Sequence, residues 1–233
     1  MTTLNPYSAI VFDLDGTLLD TWPSLLQAVR ATAPAGAAPL DPAALRRELS
    51  AGIGPMFALA AAQMAPQAGA QAHGAQAVLI ARHYLDHTLS AASPYAHAGD
   101  LLARLQRDGH ALALCTNRDR ASTLTLLDRL AWRTRFAHIH CLDDGLPAKP
   151  DAAPLLHVLS RIGRAPDEAL FVGDSRVDAQ CAAGANVAFA AHTGGYHAHP
   201  DDLQPAVLSY GDARELAQWI ATPSAPVLET EDD

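Results

Sequence analysis

The sequence predicts an α/β protein with a doubly wound parallel sheet, and two observations support that prediction. Short apolar runs of strand type alternate with helix-type segments along most of the chain, which is typical of a parallel sheet covered by helices on both faces. Several of these runs end in Asp, Thr or Gly-Asp, and open α/β sheets present such groups at the carboxyl ends of their strands. We therefore expect the chemistry at that edge of the sheet.

The elements of the core follow from the apolar runs and from helical periodicity, taken in chain order. Connections between parallel strands of this kind are right-handed crossovers. Together, the predicted strands and helices place residues 1–20 and 98–222 in the core. Strands are predicted at 9–13, 111–115, 138–141, 169–172 and 187–190, and helices at 101–107, 121–130, 152–162 and 177–183.

The alternation of strands and helices stops between residues 21 and 97, where the chain is rich in alanine and helical in character. We expect this segment to be an inserted α-helical unit, separate from the parallel sheet. Residues 223–233 are polar and acidic, which is typical of a disordered tail. Helix breakers divide the inserted segment at 34–42, 52–55 and 66–74, and Ser93-Pro94 closes it.

Two carboxylates follow the first apolar run, in the sequence Asp13-Leu14-Asp15-Gly16-Thr17. Asp13 and Asp15 lie two residues apart and therefore on the same side of an extended chain. Close carboxylates repel each other unless a cation or a proton compensates them. Mg²⁺ prefers oxygen ligands and commonly binds one or two carboxylates together with a substrate phosphate, so we expect Mg²⁺ here.

Lys149 is the only lysine in the chain; the other 15 of the 16 Lys and Arg residues are arginines. It stands in Leu146-Pro147-Ala148-Lys149-Pro150-Asp151. Lysine is a compact point charge that can lie among several oxygens, whereas arginine is a planar fork. The exception indicates that a compact ammonium is required at this position.

Two further apolar runs end in groups suited to phosphate or metal. Leu112–Cys115 is followed by Thr116 and Asn117, a hydroxyl and an amide that suit phosphate oxygens. The run ending in Val172-Gly173 is followed by Asp174 and Ser175, with Asp178 four residues beyond Asp174. Each pattern alone is a common turn or helix cap. The chain thus has four short polar segments, each after an apolar run or beside a proline, and together they indicate one shared site. The four segments are 13–17, 116–117, 149–150 and 174–178.

These four segments resemble, in order, the motifs of the haloacid dehalogenase superfamily of hydrolases, most closely its phosphoglycolate phosphatase-like group. The resemblance implies a Rossmann-like core with a helical cap after the first strand. It implies that Asp13 is the nucleophile and Asp15 the general acid and base. Mg²⁺ would be held by Asp13, the Asp15 main-chain carbonyl and Asp174. The remaining roles follow in the same way: Thr116, Asn117 and Lys149 would bind phosphate, and Asp178 and Ser175 would support Lys149 or a metal-bound water from behind.

Composition excludes several other classes of function. A net charge of −9 argues against a nucleic-acid surface, no apolar stretch is long enough to span a membrane, and no leader pattern is evident at the N-terminus. The three cysteines form no closely spaced pair and are expected to be reduced core residues of a cytoplasmic protein. The expected partner is a small phosphorylated metabolite, and the protein would be a monomer or a homodimer.

The sequence thus predicts a Mg²⁺-dependent phosphatase that hydrolyses a small, phosphoglycolate-like monoester through an aspartyl-phosphate. Asp15 favours phosphate chemistry over carbon–halogen cleavage, because dehalogenases of the superfamily lack it. A sugar phosphomutase, a pyrophosphatase or nucleotidase, and a non-catalytic binding protein on the same scaffold stay open as alternatives. The inserted segment contributes few cations; Arg46, Arg47 and Arg82 are expected on solvated helix faces. The pairs His83/His87 and His197/His199 are expected to be solvated or to have packing roles.

Overall fold

The computed structural model describes residues 6–49 and 52–222, and a six-stranded parallel sheet lies at its centre. The strands are β1 (Ala9–Phe12), β2 (Leu19–Asp20), β3 (Ser93–Pro94), β4 (Ala111–Cys115), β5 (His138–His140), β6 (Ala169–Gly173), β7 (Ala188–His192) and β8 (Leu208–Tyr210). The order in the large sheet is β5-β4-β1-β6-β7-β8, and every neighbouring pair is parallel. The predicted doubly wound α/β core is therefore confirmed.

The strand predictions agree with the structure to within two residues at each end; the two-residue strands β2 and β3 were not predicted, and one strand of the large sheet was missed. That strand, β8, has only three residues at the far edge of the sheet, with Ser209 exposed between Leu208 and Tyr210. A run of this length is too short to show an apolar alternation.

Nine α-helices surround the sheet or lie in the inserted segment of the described residues. They are α1 (Trp22–Ala31), α2 (Pro42–Glu48), α3 (Ile53–Met64), α4 (Ala70–His83), α5 (Ala98–Arg107), α6 (Arg120–Arg129), α7 (Ala153–Ile162), α8 (Arg176–Gly184) and α9 (Ala213–Ala221). A π-helical turn at Tyr84–Thr88 continues α4. None of the described helices is both long and apolar enough to cross a membrane.

Strand β1 lies in the middle of the sheet and is buried on both faces, since its side chains alternate between them. Ile10 and Phe12 pack with α5, α6 and α9 on one face. Ala9 and Val11 pack with α7 and α8 on the other. Burial of this whole strand fixes the position at which Asp13 leaves the sheet.

The inserted helices pack around an apolar cluster of their own. Leu25 of α1, Leu45 of α2, Phe57 of α3 and Ile80 of α4 are buried in it. The chain leaves the core through β2 and returns through β3, which pair antiparallel, so both connections run side by side. Residues 21–97 as a separate cap domain stay a prediction, and the predicted tail at 223–233 lies outside the described residues.

The predicted breakers at 52–55 and 66–74 do lie between helices, but each extends into the first turns of the helix that follows. Helix α3 begins at Ile53 and includes Pro55, because the first backbone N–H groups of a helix have no intrahelical acceptor and proline loses nothing there. Helix α4 begins at Ala70 and runs through Gly74, an exposed position where glycine costs only about 1 kcal/mol.

Candidate active site

Asp13 lies directly after β1, at the carboxyl edge of the sheet. Its backbone N–H donates to the carbonyl of Val172 in β6 at 2.8 Å, which ties the end of β1 to the end of the neighbouring strand. The Asp13 residue is 6% exposed. A carboxylate so placed is both nearly dehydrated and held in a fixed direction.

Lys149 lies between two buried carboxylates. Its Nζ is 2.7 Å from Oδ1 of Asp13 and 2.6 Å from Oδ1 of Asp178. The Lys149 side chain is 3% exposed and its ammonium lies over the ring of Phe171. The single lysine of the chain is thus a compact charge among oxygens, as its sequence position indicated.

The residues after β6 form a reciprocal helix cap that also fixes Asp178. The Ser175 side chain accepts from the Asp178 N–H at the start of α8. Oδ2 of Asp178 accepts from the Ser175 hydroxyl at 2.6 Å and from the backbone N–H groups of Ser175 and Asp174. The other oxygen of Asp178 is thereby directed at Lys149.

Asp174 is held by two groups to which the sequence analysis gave no role. The Thr17 hydroxyl donates to Oδ1 of Asp174 at 2.8 Å, and the backbone N–H of Tyr196 donates to Oδ2 at 2.7 Å. Gly16 passes close by with φ +90°, and a Cβ there would lie 2.3 Å from Oδ2 of Asp174. The glycine of the Asp-Gly-Thr segment therefore makes room for Asp174.

Thr116 and Asn117 follow β4 at the same edge of the sheet. The Asn117 side chain donates to the Lys149 carbonyl and accepts from the Lys149 N–H, both at 2.9 Å. It therefore fixes the backbone that carries the lysine. Thr116 and Asn117 both line the central cavity, and their binding of phosphate stays a prediction.

Asp15 contacts a residue that the sequence analysis missed. Nη1 of Arg118 is 2.7 Å from Oδ1 of Asp15, while Nη2 donates to the Tyr84 hydroxyl at 2.6 Å and Nε to Ser122 at 2.9 Å. The Arg118 side chain is only 2% exposed. The sequence signal was an arginine directly after Thr116-Asn117.

A loop after β7 holds the start of the inserted segment. The Tyr196 hydroxyl accepts from the backbone N–H groups of Thr21 at 2.7 Å and Trp22 at 2.9 Å. Arg46 of α2 donates to the Gly195 carbonyl at 3.1 Å and lies over the Tyr196 ring. Arg46 is exposed on α2, as expected for a solvated helix face, but its guanidinium also reaches the carbonyl of this loop.

A cavity of about 180 Å³ joins these groups. Its core side is formed by Asp13, Asp15, Thr116, Lys149 and Asp174, and its other side by uncharged residues of the inserted segment. The residues on that second side are Thr21, Leu25, Leu49, Gly52 and Ile53.

The electrostatics of the site are dominated by burial. Burial raises the pKa of Asp13 to about 7, with Asp178 and Asp15 raising it further and Lys149 opposing the shift. Burial, Asp178 and Asp13 raise the pKa of Asp174 well above its ordinary value. Burial lowers the pKa of Lys149, but Asp13 and Asp178 outweigh it and leave that pKa well above 10.5. Two buried carboxylates thus contact one buried ammonium, and the third, Asp174, lies beside them.

The carboxylate cluster can hold a divalent cation. Oxygens of Asp13, Asp174 and Asp178 lie within 4.8 Å of one another, and all three residues are buried. Asp13 and Asp174 face the cavity, while one oxygen of Asp178 is engaged by Lys149. Hard oxygen ligands with an excess of negative charge are the donor set that Mg²⁺ prefers.

Comparisons with known proteins agree with this geometry. The chain is 34% identical over 220 residues to a phosphoglycolate phosphatase from Rhodospirillum rubrum, covering 92% of this chain and 91% of the relative. It is 31% identical over 199 residues to an N-acetylmuramic acid 6-phosphate phosphatase from Pseudomonas aeruginosa, covering 83% and 84%.

Solved structures show the same fold. A crystal structure of a predicted phosphoglycolate phosphatase from Haemophilus somnus superposes with a TM-score of 0.82 at 21% identity, covering 92% of this chain and 98% of that one. The sequence profile of the haloacid dehalogenase-like hydrolases matches residues 10–192. The chain therefore belongs to the haloacid dehalogenase-like hydrolase family.

Proposed function

We propose that this protein is a Mg²⁺-dependent phosphatase that hydrolyses a small phosphate monoester through an aspartyl-phosphate on Asp13. The observation that carries the proposal is the arrangement of Asp13, Lys149 and Asp174 on one side of the cavity, with Asp15 on the same side. The named phosphatases among its relatives support the same class of reaction.

The residues present fit Mg²⁺. One ammonium faces the buried carboxylates of Asp13, Asp174 and Asp178, so the site carries more negative than positive charge. Asp13, Asp174 and the main-chain carbonyl of Asp15 would hold the ion. When bound, Mg²⁺ supplies positive charge to the phosphoryl oxygens and to the carboxylates.

In the first half of the reaction, the Asp13 carboxylate attacks phosphorus and the bond to the ester oxygen breaks. Lys149, together with a divalent cation beside Asp13, would favour the ionised form of this carboxyl, which then attacks without a general base. Asp15 gives its proton to the leaving alkoxide. Lys149 and Thr116 stabilise the equatorial oxygens, since positioning and charge stabilisation supply most of the catalysis in phosphoryl transfer.

In the second half, water attacks the phosphorus of the aspartyl-phosphate. Asp15 accepts the proton of that water, and the phosphorus–oxygen bond to Asp13 breaks to give inorganic phosphate. Asp178 takes no part in bond making. Its contacts with Ser175 and Lys149 keep the ammonium directed at Asp13.

The substrate we propose is small and of the phosphoglycolate type. The cavity of about 180 Å³ limits the leaving group, and Leu25, Leu49 and Ile53 give its outer side an apolar character. Relatives named for phosphoglycolate and for a phosphorylated sugar acid make these two the first esters to compare.

The test is phosphate release from a panel of 2-phosphoglycolate, sugar 6-phosphates, nucleoside monophosphates and pyrophosphate, with Mg²⁺ and with chelator. We expect Mg²⁺-dependent release that Asp13→Asn lowers by ~10³-fold or more, because the nucleophile is removed. Asp100→Asn, an isosteric change at a side chain that is 89% exposed, is the matched control and should keep full activity.

Three results would overturn the proposal. Absence of phosphate release from every member of the panel by folded protein would exclude a phosphatase. Isomerisation of a sugar phosphate without release of phosphate would indicate a phosphomutase, and equal release by Asp13→Asn would exclude Asp13 as the nucleophile.

A further inference from the structure

A cluster of three histidines lies at the outer edge of the sheet. His138 and His140 are two residues apart on the edge strand β5 and therefore project from the same face. His157 of α7 packs against both, with ring centroids 5.6 Å apart in each case. One nitrogen from each of the three rings lies within 4.8 Å of the others.

His140 has a buried ring nitrogen without a partner. Its side chain is 4% exposed, and Nδ1 makes no hydrogen bond among the described residues. The nearest acceptor in an ion pair is Oδ2 of Asp144 at 3.7 Å, beyond hydrogen-bond distance. A buried polar atom left in this way costs on the order of 1–3 kcal/mol. Because Nδ1 faces Asp144, a bond from Nδ1–H to that carboxylate would remove this cost and leave the other ring nitrogen of His140 to bind a ligand.

We propose that His138, His140 and His157 bind a transition-metal ion, with Zn²⁺ as the ion of choice, at a site separate from the carboxylate cluster. Three imidazoles with one open position form a common zinc coordination set. Neutral nitrogen ligands select Zn²⁺, Ni²⁺ or Cu²⁺ over Mg²⁺. The exposed His157 leaves the fourth position to water.

The surroundings of the cluster favour this assignment. Burial lowers the pKa of His138 and of His140, which keeps both imidazoles neutral and able to bind a metal. Arg161 and Arg120 also lower the pKa of His138, and these two positive groups oppose a bound cation. Asp144 is the compensating charge beside His140.

Asp144 is itself well fixed. Its carboxylate pairs with Arg120, whose Nε donates to Oδ1 at 2.6 Å, and accepts from the Cys141 N–H at 2.8 Å. Metal-bound histidines usually donate their second ring N–H to a carboxylate, which orients the ring. Asp144 lies where such a carboxylate is needed, and a small shift of the ring would complete that bond.

Closing the site needs only a small movement. Nitrogens of a tetrahedral zinc site lie roughly 3.4 Å apart, given bonds of about 2.0–2.1 Å. The separations of up to 4.8 Å can shorten by rotation of His157, which is exposed on α7. The bound ion would fasten the edge strand to α7.

The test is Zn²⁺ binding to untagged, chelator-stripped, full-length protein, measured by competition with a chromophoric chelator. Excess Mg²⁺ keeps the carboxylate cluster occupied. We expect one more equivalent of Zn²⁺ on the wild type than on His157→Ala, with affinity lowered at least about tenfold by the substitution. His157→Ala is the main variant because this side chain is exposed and its loss should not affect folding.

The double variant His83→Ala/His87→Ala is the matched control, since those rings also pack together, with centroids 4.6 Å apart. It should retain the extra equivalent and the rise in Tm that Zn²⁺ produces. Equal Zn²⁺ binding by the wild type and His157→Ala would overturn the proposal, as would loss of binding in the His83/His87 control. Mg²⁺-dependent phosphatase activity of His157→Ala should equal that of the wild type, so failure of this site and failure of the proposed function are distinguishable.

Discussion

Arg118 and Asp15 form a nearly buried ion pair in which Nη1 and Oδ1 are 2.7 Å apart. The second terminal nitrogen of the same guanidinium donates to the hydroxyl of Tyr84, which belongs to the inserted helical segment. The residue that we propose as acid and base is therefore connected to the inserted helices through one planar group. A lysine ammonium, which is a point charge, could not make both contacts at once with this geometry.

We predict that Arg118→Lys lowers kcat by ~10–100-fold while KM changes less, because the acid and base loses its fixed orientation. Tyr84→Phe should have a smaller effect, since it removes the hydroxyl that contacts Arg118 and Ser24 but leaves the ion pair of Arg118 with Asp15. Steady-state kinetics of both variants measure this. Arg104→Lys, at an exposed i,i+4 pair with Asp108, is the control for the same chemical change. A wild-type kcat in Arg118→Lys would contradict the role of Arg118 in positioning Asp15.

The second prediction concerns the pH dependence of stability in metal-free protein. The pKa of Asp13 in the folded chain is about 7, above its ordinary value of 3.8. The folded state thus holds this proton more tightly than the unfolded state. The stabilising contribution is fully present below pH 3.8 and is lost as the pH rises through about 7.

Asp13→Asn removes that titration and one of the repelling charges. We expect it to raise the Tm of the metal-free protein by about 2–8 °C at pH 8, and by much less at pH 5. Thermal unfolding with chelator across this range measures the effect. Mg²⁺ should narrow the difference, because it stabilises the wild-type cluster more than the variant. A variant whose Tm follows the same pH dependence as the wild type would show that Asp13 is not strained by its burial.

The sequence was sufficient to predict which carboxylates and which lysine meet. Asp13, Thr116 and Asp174 each follow a strand of the parallel sheet, and the carboxyl ends of such strands converge at one edge. That convergence is a property of the fold class, so local patterns predict it without knowledge of side-chain packing. Composition singled out Lys149 as the one lysine among arginines, and the family resemblance implied that this lysine contacts the nucleophile.

Contacts between the core and the inserted helices could not be predicted from the sequence. The pairs Arg118–Tyr84 and Arg46–Gly195 depend on how two separately packed parts meet, and no periodicity within either part encodes that. Asn117 illustrates a subtler limit. Its amide suited phosphate by type, but the structure shows both of its polar atoms engaged with the Lys149 backbone.

The third prediction is that Lys149→Arg lowers kcat/KM at least about 100-fold although the positive charge is kept. Nζ makes contacts of 2.7 and 2.6 Å with two carboxylates in a nearly closed space, and a guanidinium is too large and too planar to replace it there. Kinetics with circular dichroism as a check on folding measure this. Asp178→Asn, which keeps the shape and the Ser175 contact, should give a smaller loss. Full activity in Lys149→Arg would contradict the requirement for a compact ammonium.

The last prediction is that Gly16→Ala weakens Mg²⁺ activation more than it weakens the fold. A Cβ at Gly16 would lie 2.3 Å from Oδ2 of Asp174, so Asp174 must move away from Thr17 and Tyr196. Gly109→Ala is the matched control. The φ of Gly109 is +89°, nearly the same as the +90° of Gly16, but no atom lies within 4 Å of a Cβ placed at Gly109. Both substitutions carry the same backbone strain and should lower Tm alike, apart from the clash. Mg²⁺ titrations of activity should show at least about a tenfold higher half-saturating concentration for Gly16→Ala only. Equal Mg²⁺ dependence in the two variants would mean that the placement of Asp174 does not govern metal binding.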